Sequence, residues 1–317
     1  MRFRTAVVTA ATAMLVVAHT SVPQAMPAPY SRIVVFGTSL SDPGNAFALR
    51  GGTNTAPDYL VDPLLVPSAP YARGGHHFSN GATWVEQFAR STGLAGSVRP
   101  AFASASGATN FAVGGARARE DGVNLNLLEQ VQTFLAQSGG AAPADALYVI
   151  EMGGNDLRDA LVAFTSGGAG PILQDAIGSI AQAVFTLHAA GARNFLVWRA
   201  PNVGLTPAIR SLGPNAIALG TGLTQSFNAG LDFVVANVLS PLPGAHIARL
   251  DAFRLLTDLV NDGPRYGLTN VTSACITPSV APFSCSSPDE YLFWDGIHPS
   301  AAVHAMIAQE AASVLMH

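Results

Sequence analysis

Five short segments rich in apolar, β-branched and aromatic residues alternate with longer stretches of helical period in this chain. The apolar segments are residues 32–36, 110–113, 146–152, 194–199 and 246–250. Candidate helices cover 42–49, 82–91, 125–137, 156–164, 171–190, 216–239 and 300–315. This alternation restricts the fold class to α/β, with a mainly parallel five-stranded sheet covered on both faces. One helix shows the reasoning. Leu157, Leu161 and Phe164 fall on one face at i, i+4 and i+7, and Asn155 just before them is placed to cap the helix start.

Two stretches break the alternation. Residues 51–79 are rich in Gly, Pro and aromatics, and 262–288 in Pro, Ser and Thr. Loops this long in a compact domain are usually functional or disordered. Both are expected to wall a substrate pocket.

The chain has 317 residues, 49% hydrophobic and 11% charged, enough for one large domain with a buried core. Its first residues read as a secretory signal. Arg2 and Arg4 form a basic start, 6–18 an apolar run, and His19, Thr20, Ser21 and Pro23 a break. The expected organisation is a signal peptide over 1–25, cleaved somewhere in 18–28, followed by a single domain over 29–317. No later apolar run reaches the ~18–20 residues of a spanning helix. A secreted or periplasmic protein without a stable membrane anchor is expected. Losing Arg2 and Arg4 with the leader takes the net charge from −4 to −6, and no lysine is present. Such a surface argues against nucleic acid as a partner.

Cys275 and Cys285 have nine residues between them. In an exported chain they read as one disulfide stapling a loop, with a pair of free thiols as the alternative. Neither has a second Cys or a His at ligand spacing, so no metal site is expected there.

Three strand ends carry residues suited to acyl transfer. Ser39 follows the first apolar segment at a strand-to-helix turn, where helix N–H groups favour negative charge. A serine hydroxyl needs a base to take its proton, and the base needs an orienting acid. Asp295 and His298, three residues apart near the other end, supply both types. Gly114-Gly115 and Gly153-Gly154-Asn155-Asp156 follow two further segments. Their backbone N–H groups and the Asn155 carboxamide suit a developing oxyanion.

Each piece alone has a plainer reading. Ser39 fits an ordinary turn, Asp295 a helix cap, His298 a packed ring, and the glycines tight turns. Asp156 fits turn support. Together the pieces supply every role that an acyl-enzyme mechanism requires. His76 and His77 form the only competing histidine pair, and no carboxylates stand at metal-ligand spacing from them.

Five blocks, in order, resemble the GDSL or SGNH hydrolases of secreted bacterial esterase/lipase type. They are Val35-Phe36-Gly37-Thr38-Ser39-Leu40-Ser41-Asp42-Pro43-Gly44-Asn45, Phe78-Ser79-Asn80-Gly81, Asn110-Phe111-Ala112-Val113-Gly114-Gly115-Ala116, Gly153-Gly154-Asn155-Asp156 and Asp295-Gly296-Ile297-His298-Pro299. The resemblance implies a flavodoxin-like three-layer α/β/α fold. It implies Ser39 as nucleophile, His298 as general base and Asp295 as its supporting acid. It also implies oxyanion donors at the Ser39 backbone, Gly115 and the Asn155 side chain. No metal or organic cofactor is implied.

The family's usual Asp before the serine is Thr38 here, which changes the hydrogen bonding expected around Ser39. Some members carry a C-terminal β-barrel. This chain ends 19 residues after His298, so none is expected. The expected substrate is a small-molecule or lipid ester. Acyl transfer to an alcohol by the same triad is the alternative activity, and a catalytically silent extracellular binding domain the non-enzymatic one.

Overall fold

The computed structural model describes residues 30–315 except 57 and 104–106. The expected leader lies outside the described residues. Strands β1 (Ile33–Gly37), β2 (Leu147–Glu151), β3 (Asn194–Arg199) and β4 (His246–Asp251) form one parallel sheet in the order β1-β2-β3-β4.

Successive side chains on a strand point to opposite faces. Val34, Phe36, Tyr148 and Ile150 therefore enter one core, and Ile33, Val35, Leu147 and Val149 another. Burial on both faces is why these strands read as continuous apolar runs rather than alternating ones.

The helices are α1 (Asn45–Leu49), α2 (Trp84–Ser91), α3 (Leu127–Gln137), α4 (Gly154–Val162), α5 (Ala169–Ala189), α6 (Pro207–Arg210), α7 (Pro214–Val234), α8 (Ala252–Asn261) and α9 (Ala301–Leu315). Residues of α3, α4, α5 and α7 fill the first core, and those of α2, α8 and α9 the second. Three layers result. Local chemistry sets several helix starts. The Glu86 carboxylate accepts from Thr83 N–H at 2.9 Å, and Glu129 from Asn126 N–H at 2.8 Å. Both are capping boxes, with a carboxylate reaching back to the residue before the helix.

The structure corrects several expectations. The regular sheet has four strands, not five. Segment 110–113 does lie along the free edge of β1, where Phe111 N–H donates to Val35 O at 2.8 Å and Val113 N–H to Gly37 O at 3.1 Å. On its other side, the carbonyls of Asn110 and Ala112 accept from the Asn45 side chain, each at 2.8 Å. The Asn110 carbonyl also accepts from Ala101 N–H at 3.0 Å, and the segment pairs through isolated bridges rather than a regular ladder. In spatial order this edge segment precedes β1, giving the 2-1-3-4-5 arrangement whose switch point gathers ligand-binding loops at the strands' C-terminal ends.

Helix α1 begins three residues later than expected: Gly44 holds the N-cap position, and the Asp42 side chain takes up the first helical N–H groups. The Asp42 carboxylate accepts from Asn45 N–H at 2.6 Å and Ala46 N–H at 3.0 Å. Asn155 is not a cap. Gly153 holds that position at φ +109°, which leaves Asn155 inside the first turn of α4. Region 262–288 contains strand β5 (Asn270–Ala274), paired with β6 (Tyr291–Phe293). Helix α8 was legible but unassigned: Leu255 and Leu259, four apart, are its buried stripe. No helix among the described residues is long and apolar enough to cross a membrane.

Candidate active site

Ser39 lies two residues beyond the end of β1, and the turn that carries it is clamped from below. Gly37 N–H donates to the Gln130 side chain at 2.9 Å, and Gln130 returns a donor to Gly37 O at 3.0 Å. Thr38 donates twice to Glu151, the last residue of β2. Its N–H meets the carboxylate at 2.9 Å, and its hydroxyl meets the two oxygens at 3.0 and 3.1 Å. The residue that departs from the family pattern is therefore a fully engaged donor. Burial raises the Glu151 carboxyl to about 7, even with the hydrogen bonds from Thr38 and Ser41 opposing the shift. A turn held by buried hydrogen bonds is preorganised, and its side chain points one way.

Asp295 and His298 follow β6 on a tight turn. One Asp295 oxygen accepts from the backbone N–H groups of Ile297 at 2.8 Å and His298 at 2.7 Å. The other meets His298 Nδ1 at 2.7 Å. Asp295 therefore both caps the turn and orients the ring. Its second oxygen also accepts from Tyr71 OH at 3.2 Å. Burial, reinforced by the Asp295 charge, pushes the Tyr71 phenol far above its ordinary range, so it stays a donor. Gly296 is required here, because a Cβ would lie 2.0 Å from Leu64 O.

His298 Nε2 lies 2.8 Å from Ser39 Oγ. With a proton on Nδ1 directed at Asp295, Nε2 is free to accept from the serine hydroxyl. The three side chains form one hydrogen-bonded line between segments 259 residues apart. All three are buried: Ser39 is 9% exposed, His298 4% and Asp295 0%.

Gly115 and Asn155 line the same recess as Ser39 and His298. Gly115 has φ +92°, a conformation that side chains resist. Asn155 donates one amide proton to Ala116 O at 2.8 Å, which sets the carboxamide's direction and leaves its second N–H available. Asp42 ties this turn to the serine turn, since it also accepts from Gly114 N–H at 2.8 Å. Asp156 supports the adjoining chain by accepting from Ala118 N–H at 2.9 Å, as turn support rather than chemistry.

His76 and His77 do not form a metal pair. His76 meets Asn54 at 2.8 Å, and His77 pairs with Glu86 at 2.7 Å. Among the described residues no cluster could hold a metal ion.

One loop expectation holds and one fails. Val66, Pro67, Ser68 and Phe78 of the first long loop line the recess at Ser39. No residue of 262–288 lines the cavities at Ser39. That region instead braces the site from behind. Cys275 and Cys285 are disulfide-bonded, and Ile276 N–H donates to Trp294 O at 3.0 Å, immediately before Asp295.

Sequence reasoning missed Gln130, Glu151 and Tyr71. The one available signal was Glu151, a lone carboxylate ending an otherwise apolar strand.

Comparison with known proteins places the chain in a family. Over 96% of its length the chain is 29% identical to Esterase EstA of Pseudomonas aeruginosa, of which it covers 49%. It is 25% identical to the thermolabile hemolysin of Vibrio parahaemolyticus, over 88% of this chain and 62% of that protein. A GDSL esterase/lipase of Arabidopsis thaliana is 27% identical over 88% of this chain and 80% of its own. The chain spans about half the length of the esterases named EstA. The family described as GDSL-like Lipase/Acylhydrolase matches residues 33–311. The chain belongs to that family.

Proposed function

We propose that this protein is an exported serine hydrolase that cleaves carboxylic esters through an acyl-enzyme. Residues 1–25 are its signal peptide and 29–317 its single catalytic domain. The observation that carries this reading is the line Ser39–His298–Asp295, with contacts of 2.8 and 2.7 Å.

His298 Nε2 takes the serine proton as Ser39 Oγ attacks the ester carbonyl. The tetrahedral intermediate places its negative charge toward Ser39 N–H, Gly115 N–H and the free amide proton of Asn155. Asp295 holds the ring orientation and stabilises the imidazolium. His298 returns the proton to the leaving alcohol, and the acyl group remains on Ser39. A water then repeats the sequence, with His298 again as base, and releases the acid. The Thr38–Glu151 and Gln130 hydrogen bonds hold the Ser39 turn still throughout.

The test is the Ser39→Ala variant. It should keep the fold, lose turnover of a chromogenic ester and lose labelling by a fluorophosphonate. A wild-type rate in this variant would sink the mechanism.

A further inference from the structure

Two adjoining recesses border Ser39. The cleft at Ser39 shares Leu40, Pro201, Thr206 and Ile297 with a neighbouring small cavity. That cavity contains no charged side chain, and Leu255, Leu259, Val303 and Ile307 of α8 and α9 help to wall it. Its lining suits a hydrocarbon chain. The other recess runs past Phe78, Gly115 and Asn155 and contains Arg158, with exposed Arg50 at its rim. Arg158 lines both the cleft and this second recess. It stands three residues after Asn155 on α4, and i,i+3 side chains share a helix face.

Among the described residues, no hydrogen bond or ion pair holds the Arg158 guanidinium. The acids nearest in charge are Asp62, Asp159 and Asp295. Each is committed elsewhere. Asp159 pairs with Arg117 and Arg119, and Asp295 with His298. Asp62 accepts from the backbone N–H groups of Leu64 and Val66. Burial depresses the Arg158 pKa, and the Arg117 charge adds to this. A half-buried cation without a counterion is costly, and an anion in the recess would remove that cost through paired, charge-assisted hydrogen bonds.

We infer that Arg158 is a specificity-determining residue, which receives an anionic group on the alcohol part of the ester while the acyl chain enters the uncharged cavity. This rests on the esterase reading of Ser39. The anion is a phosphate ester or a carboxylate, both of which match the planar guanidinium fork. The preferred substrate class is an amphiphile with an apolar acyl chain and an acidic alcohol.

The test compares kcat/KM on octanoylglycerol, octanoylglycerol phosphate and octanoylglycerate for the wild type, Arg158→Gln and Arg158→Lys. The wild type should favour at least one anionic ester, and the larger preference identifies phosphate or carboxylate as the group received. Arg158→Gln should lower the anionic-to-neutral ratio roughly 10- to 100-fold, the range for a hydrogen bond to a charged group. Arg158→Lys should recover part of it, because the charge remains but the fork is lost. Equal ratios in the wild type and Arg158→Gln, or a wild-type preference for the neutral ester, would overturn the assignment. Binding of the same three compounds to the Ser39→Ala protein, with and without Arg158→Gln, reads the anion preference without turnover. Failure of the serine reading would appear separately, as Ser39 left unlabelled by a fluorophosphonate.

Discussion

Replacing Glu151 by Gln isolates one buried proton beneath the nucleophile. Glu151 is 3% exposed and accepts from Thr38 N–H and the Thr38 hydroxyl. Burial raises its pKa from 4.5 to about 7, against the opposing hydrogen bonds. The sign follows from the two states. Between these two values the unfolded chain has already released the proton while the native protein keeps it. Rising pH therefore favours unfolding across that window, and above about pH 7 both states are ionised and the difference is constant. At ~1.4 kcal/mol per pH unit, this single proton removes about 3–4 kcal/mol of stability between those limits. The Glu151→Gln variant has no proton to lose there. Its stability relative to wild type should shift by about 3–4 kcal/mol in its favour between roughly pH 4.5 and pH 8. Any constant cost of the amide against the Thr38 hydroxyl adds equally at every pH. Asp42, also raised by burial to about 6, titrates in both proteins and cancels in the comparison. Urea unfolding followed by emission of the buried Trp84, Trp198 and Trp294 measures the effect. Parallel curves of stability against pH for the two proteins would refute the reasoning, because Glu151 would then ionise alike in both states.

Two further outcomes test the same neighbourhood. Thr38→Asp restores the family's usual residue but sets a second carboxylate about 3 Å from Glu151, where burial forbids both from ionising. Its melting temperature should fall more steeply than that of wild type between pH 6 and pH 8, and an unchanged slope would show that the two carboxylates do not meet. Asp295→Asn keeps an oxygen for the Ile297 and His298 N–H groups but loses the charge facing His298 Nδ1. Its kcat on a chromogenic ester should drop by roughly three to four orders of magnitude with the circular dichroism unchanged. A loss below tenfold would remove Asp295 from its orienting role.

Much of the scaffold was legible in the chain because its signals are local. Apolar runs mark β1 to β4, and the periodic faces place α2, α3, α5, α7 and α9 within a few residues. Thr83 with Glu86, and Asn126 with Glu129, even mark two helix starts. What misled was local as well. Segment 110–113 has strand composition, but Asn45, 65 residues earlier, takes its outer carbonyls. Asn155 looks like a helix cap, but Gly153 reaches a positive φ more easily and holds that position instead. Region 262–288 looked like a pocket wall because it precedes Asp295 in sequence. In space it pairs with the residues just before Asp295 and lines neither recess at Ser39.

By itself the sequence determined a two-faced parallel sheet with reactive residue types at its strand ends, because strand burial and turn chemistry are properties of neighbouring residues. It also named Ser39, Asp295 and His298. It hinted at Glu151 only as a lone carboxylate ending an apolar strand, and was silent on its place beneath Thr38, on Tyr71 behind Asp295, and on Arg158 without a counterion beside Asn155. Those three depend on what burial does to a charge or a hydroxyl. Burial is decided only when segments far apart in the chain meet, as Ser39 and His298 do across 259 residues.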